Sequence, residues 1–86
     1  MDTDHQKDNL CPLRDMPIGA EGSIVELKAT GLARRRLLDL GLVPGTKITA
    51  IRRSPFRDPT AYLVRGTIIA LRQEDSAQII VRKSDC

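Results

Sequence analysis

The sequence predicts a mainly β domain, a small five-stranded barrel with a short helix inserted after the first strand. Three observations carry this. After Thr46 the apolar residues recur with period two, at Ile48 and Ala50, Tyr62 and Val64, Ile69 and Leu71, Ile79 and Val81, the pattern of strands with one buried face. Only Leu32 to Leu40 shows the helical period instead. Gly and Pro punctuate the boundaries between these runs, and 86 residues suffice for one such domain and little else.

Along the chain, residues 1–9 lack periodicity and read as a flexible N-terminal tail, residues 10–83 as the folded domain, and residues 84–86 as a C-terminal tail. Leu10 to Leu13 with Met16, Pro17 and Ile18 predicts an extended apolar strap, because its two prolines exclude a helix. Gly19 to Gly22 is a turn. Ser23 to Ala29 is the first strand, with Val25, Leu27 and Ala29 facing the core and Ile24, Glu26 and Lys28 opposite. Thr30 is placed to cap a helix whose Ala33, Leu37 and Leu40 fall at i, i+4 and i+7 on one stripe, and Gly41 with Pro44-Gly45 supplies the stop. Four strands follow, separated by the loop Ser54 to Pro59, a tight turn at Gly66-Thr67 and a polar crossover, one helical turn, over Gln73 to Ala77. Five short antiparallel strands that curl to remove their edges make a barrel of the SH3-like or OB-like kind.

The net charge of +3 conceals an uneven distribution. Residues 1–27 carry −4, residues 28–72 carry +8 and residues 73–86 carry −1. Arg34, Arg35 and Arg36 span about 200° of the helix circumference, so at least two of them must face solvent or a partner. With Arg52, Arg53 and Arg57 they offer a cationic field to an acidic partner. The barrel register also leaves Ile51, Leu63, Ile68 and Ile80 on the face opposite the core. Four apolar residues there predict a contiguous patch, covered by the helix or strap, or used for docking or self-association.

Several function classes are disfavoured. The single histidine, His5, lies in the tail, so no serine has a histidine base beside it, and neither phosphate-loop motif G-x-x-x-x-G-K-[ST] nor G-x-G-x-x-G occurs. The chain is therefore expected not to be an enzyme. The opening MDTDHQKDNL has no apolar h-region, and no apolar run approaches the roughly 18 residues of a membrane span, so the expected compartment is the cytoplasm. There Cys11 and Cys86 are thiols. His5, Cys11 and Cys86 are the candidate ligands for a weak Fe(II) or Zn(II) site, and no cofactor is expected to be required. Nucleic-acid binding is disfavoured because base stacking needs aromatic platforms, and the chain has one Tyr, predicted inward, and one Phe, in a loop.

The run Gly31-Leu32-Ala33-Arg34-Arg35-Arg36-Leu37-Leu38-Asp39-Leu40-Gly41-Leu42-Val43-Pro44-Gly45-Thr46, then Ile51-Arg52-Arg53-Ser54-Pro55, Val64-Arg65-Gly66 and Ala70-Leu71-Arg72, resembles the bacterial ferrous iron transport protein A (FeoA) family. The resemblance extends from about Leu13 to Arg82. It implies a cytoplasmic SH3-like barrel that regulates, without itself transporting, by docking on the GTP-binding region of the ferrous permease FeoB, peripheral to the membrane. The docking residues expected on this reading are Arg34, Arg35, Arg36, Arg52, Arg53, Phe56 and Arg57, with Leu63, Ile68 and Ile80 as apolar contacts. The alternatives are a metal-responsive module related to the C-terminal domain of metal-dependent repressors, or a nucleic-acid-associated small barrel.

Overall fold

A computed structural model describes residues 10–56 and 58–83. The elements are β1 (Leu10–Pro12), a 3-10 turn (Leu13–Asp15), β2 (Glu21–Leu27), α1 (Gly31–Asp39), β3 (Lys47–Arg53), β4 (Thr60–Val64), β5 (Thr67–Leu71), α2 (Gln73–Ser76) and β6 (Ile79–Lys83). The strands form one antiparallel sheet in the order β1-β6-β2-β3-β4-β5.

The sixth strand comes from the predicted strap. Pro12 does not interrupt it because β1 is an outer strand, where a missing N–H costs no ladder bond on the open side. The turn after it carries Leu13 and Met16 into the core at 0% and 1% exposure, while Ile18 stays exposed. With Ile24, Leu37, Leu42, Ile48, Tyr62, Val64, Leu71, Ile79 and Val81, they form a single cluster. Each such side chain withdrawn from water contributes about 1.5–3 kcal/mol.

Two β-bulges set which side chains enter this core. Between β2 and β6 the register steps from Ile24 opposite Val81 to Glu26 opposite Ile80, so Val25 is the extra residue. Ile24 and Leu27 are consequently both buried and Val25 is exposed, whereas strict alternation had placed Val25 inward and Ile24 outward. Ile51 is the extra residue where β3 steps from Ala50 opposite Tyr62 to Arg52 opposite Ala61.

The β4–β5 hairpin turns one residue earlier than predicted. Val64 pairs with Thr67, leaving Arg65 and Gly66 as the two turn residues, with φ of 54° and 81°. Two successive positive φ values are what a type I′ hairpin turn demands; Gly adopts them freely, and Arg65 is held there by the ladder on either side.

Helix α1 departs furthest from expectation. Of the predicted stripe only Leu37 is buried; Ala33 and Leu40 are exposed, and Leu38 packs partly against the core. Thr30 occupies the N-cap position in an extended conformation and makes no side-chain capping bond. The C-terminus is specified more strongly. The Leu42 N–H donates to Leu37 O at 3.1 Å and the Gly41 N–H to Leu38 O at 2.9 Å, with Gly41 at φ 98°. This is the Schellman pattern, and its apolar partners Leu37 and Leu42 are both buried. The helix is thus fastened to the barrel at its C-terminal end, and its N-terminal turns project outward.

Candidate docking surface

Because Leu37 alone of α1 is buried, the rest of the helix is free for contact. Arg34, Arg35 and Arg36 are all exposed, and Leu32 is 86% exposed. Gly31, Leu32, Arg34, Arg35, Leu38 and Asp39 line a shallow groove of about 580 Å³. An apolar floor with a guanidinium rim suits an amphipathic segment that carries acids. Leu32 falls off the Ala33, Leu37, Leu40 stripe, so the helical period in the sequence does not single it out.

A second surface lies on the outside of the sheet. Tyr62 and Val64 point inward, so Ala61 and Leu63 point outward, as do their β5 partners Ala70 and Ile68. Across to β3, Thr49 pairs with Leu63 and Arg52 pairs with Ala61. Two rows result, Thr49-Leu63-Ile68 and Arg52-Ala61-Ala70, an apolar strip with one cation at its edge. Leu63 is 36% and Ile68 63% exposed. The contiguous patch of four does not form. Ile80 is on β6 with β2 and β3 between it and β4, and Ile51 is half-buried at the β3 bulge. Among the described residues neither the helix nor the strap covers Leu63 and Ile68, which stay exposed.

Helix α2 contacts both α1 and the Ser54 to Pro59 loop. Its Asp75 carboxylate receives Arg36 Nη2 at 3.4 Å, and the Gln73 N–H donates to Asp58 Oδ1 at 2.9 Å. The first contact is an exposed pair worth at most about 1 kcal/mol, but it fixes which way Arg36 points. The second anchors the Ser54 to Pro59 loop. Phe56 stands at the tip of that loop, 89% exposed. Arg52 and Arg53 sit at its base at the end of β3, while Arg57 lies outside the described residues.

The metal trio is not assembled within the described residues, since His5 and Cys86 lie outside them. Cys11 is half-buried on β1 opposite Val81. Burial pushes its thiol above the ordinary range; nearby Lys83 opposes this and Asp15 adds to it. Among the described residues no group of three or more His, Cys, Asp or Glu side chains could hold a metal ion, and no helix is long and apolar enough to cross a membrane.

Tyr62 is also displaced from its ordinary range. Burial pushes its hydroxyl up, against hydrogen bonds shared with the Ser76 and Thr60 side chains and the charge of Arg53, while Asp58 adds to the rise. The folded state therefore keeps the phenol neutral after the unfolded chain has begun to ionise. This contribution is complete below about pH 10 and is lost as pH rises through the raised folded value. In urea denaturation followed by circular dichroism, midpoints should fall above that pH in the parent chain. They should fall less in Tyr62→Phe; an identical decline in both would refute the assignment.

Residues 11–83 match the FeoA domain along their whole length. The chain belongs to the FeoA family. Among curated FeoA relatives, the Fe(2+) transport protein A/Fe(2+) transporter FeoB fusion protein of Porphyromonas gingivalis is 36% identical over 69 residues, which cover 80% of this chain and 8% of that protein. The chain thus spans only a small fraction of that relative. The solution structure of the FeoA protein from Chlorobium tepidum superposes with a TM-score of 0.80 at 30% identity, covering 86% of this chain and 70% of that one. The Stenotrophomonas maltophilia FeoA, complexed with zinc and described as a prokaryotic SH3 domain protein, gives a TM-score of 0.71 at 25% identity, covering 80% and 86%. The SH3-like FeoA barrel expected from the sequence is therefore the fold, with β1 as an additional strand.

Proposed function

We propose that this protein is a cytoplasmic accessory subunit of ferrous iron uptake that docks on the GTP-binding region of a FeoB-type permease and regulates it without catalysing a reaction itself. The observation that carries this is the fusion relative, in which a segment similar to 80% of this chain shares one polypeptide with the transporter. Covalent linkage fixes the two partners at high effective concentration, which is useful only if they act together.

The surface best suited to the contact is the α1 groove. Leu32 supplies exposed apolar area, while Arg34 and Arg35 supply steering and charge-assisted bonds to carboxylates. Neither arginine has an acidic partner among the described residues, so neither must break an ion pair to engage. Arg36 is less available because Asp75 already holds it. Phe56 and the Leu63-Ile68 pair, one row along from Arg52, are further exposed apolar residues for the contact.

The test is co-purification of the tagged chain with the permease from detergent-solubilised membranes. Arg34→Glu with Arg35→Glu should reduce recovery at least tenfold, each reversal turning an attraction into a repulsion. Both positions are exposed, so melting temperature should stay within a few degrees of the parent. Leu32→Ser should weaken recovery without changing its salt dependence. Undiminished recovery of the double reversal would overturn the α1 assignment.

A further inference from the structure

A polar cavity of about 220 Å³, separate from the α1 groove and the outward strip, is lined by Arg14, Asp15, Arg53, Thr60, Gln73 and Ser76. Thr60 and Ser76 are 5% and 1% exposed, so their side chains form a buried wall. Tyr62 lies behind them, its hydroxyl sharing hydrogen bonds with both. The Ser76 hydroxyl also meets Gln73 O at 3.3 Å, long enough for the rotor to turn toward a stronger acceptor.

The neighbouring acids are mostly engaged elsewhere. Asp58 accepts the Gln73 N–H, and Asp75 faces Arg36. Asp15 Oδ1 lies 3.5 Å from Arg14 Nε in an exposed pair, and no other acid pairs with that guanidinium among the described residues. Arg53 makes no ion pair among the described residues at all. Two guanidinium groups thus meet buried hydroxyls around one space, with a single carboxylate at its exposed margin.

We propose that this cavity binds a phosphoryl oxyanion, either free phosphate or the phosphate of a small phosphomonoester. A tetrahedral anion accepts bonds from several directions at once. It therefore uses planar guanidinium donors on one side and a hydroxyl donor on the other, whereas a planar carboxylate leaves part of this donor set idle. The volume equals that of about seven waters, enough for phosphate and a short ester arm and below the usual range for drug-sized ligands. Thr60 and Ser76 discriminate by geometry, and Arg14 and Arg53 supply the attraction.

The experiment is titration of the full chain, followed by amide NMR shifts at low ionic strength, with inorganic phosphate in one arm and glycerol 3-phosphate in the other. Saturable shifts should centre on Thr60, Gln73 and Ser76. Arg53→Gln should weaken affinity about tenfold or more, the scale of one charge-assisted hydrogen bond. Lys47→Gln, at the opposite end of β3, should leave it unchanged. Tighter binding of the ester than of phosphate identifies the phosphomonoester as the ligand, and the reverse identifies the free anion. No saturation at millimolar concentration in either arm, or equal weakening by Lys47→Gln and Arg53→Gln, would overturn the proposal. Thermal melting of both variants establishes that each is folded.

Discussion

Replacing Tyr62 with alanine should remove most of the domain's stability at 25 °C. Tyr62 is among the largest fully buried side chains, 2% exposed, in the middle of β4 between β3 and β5. Truncating a buried aromatic to alanine costs about 3–5 kcal/mol. The Thr60 and Ser76 hydroxyls, both buried, would each lose a hydrogen-bond partner, adding about 1–3 kcal/mol. A domain of this length has in total about 4–13 kcal/mol of stability, so the sum removes most of it. Urea denaturation followed by far-ultraviolet circular dichroism would show a lost or strongly shifted transition. Tyr62→Phe keeps the ring and should cost only the hydrogen-bond part, about 1–3 kcal/mol. A Tyr62→Ala chain with a parental midpoint would mean that the core is not built around this ring.

Gly22→Val should be nearly as damaging, for a reason unrelated to cavities. Gly22 is buried in β2, paired with Ile48 on one side and Lys83 on the other. A Cβ at this position would stand 2.8 Å from Arg82 O and 3.2 Å from Met16 Sδ. The sulfur sits on a flexible side chain and can yield. The carbonyl belongs to the neighbouring strand's backbone, and moving it separates β6 from β2. Even Gly22→Ala must force this displacement, and the two branches of valine add further overlap against Met16. Overpacking of this kind costs about 1–3 kcal/mol for alanine and more for valine. Loss of slow-exchanging amides in Ile79 to Val81 would localise the effect to β6; a valine variant as stable as the alanine variant would refute it.

What could be read from the sequence follows from how local the determining forces were. The inward pairs Ile48 and Ala50, Tyr62 and Val64, and Ile79 and Val81 are buried as their alternation requires, since the extra residues fall outside these stretches: Ile51 follows Ala50, and Val25 belongs to β2 and leaves β6 itself regular. Val25 and Ile51 misled because a bulge is a property of two strands together, and neither sequence announces it. The helix ended where Gly41 said it would, a matter of φ at one residue. Its buried face was misjudged because a stripe of three apolar residues does not tell how much of it the barrel can reach, and here only Leu37 meets it. The arginine triad was correctly expected at the surface, since its angular spread allowed nothing else. The oxyanion cavity was invisible: Arg14, Arg53, Thr60 and Ser76 come from four separate elements, and only the fold brings them together.

The position of β6 between β1 and β2 dictates the order in which this chain can become a protein. The last strand in sequence fills the gap between the first two, so Leu13, Met16 and Ile24 await Ile79 and Val81 from the far end of the domain. The β1–β6 and β2–β6 ladders that close the core span well over half of the chain, which raises contact order and slows folding compared with a bundle of equal size. During synthesis from the N-terminus, a ribosome will have released β1 to β5 while their shared apolar surface still lacks its cover. Hairpin β4–β5 can form locally in that interval, but the cooperative step belongs to the arrival of five residues, Ile79 to Lys83.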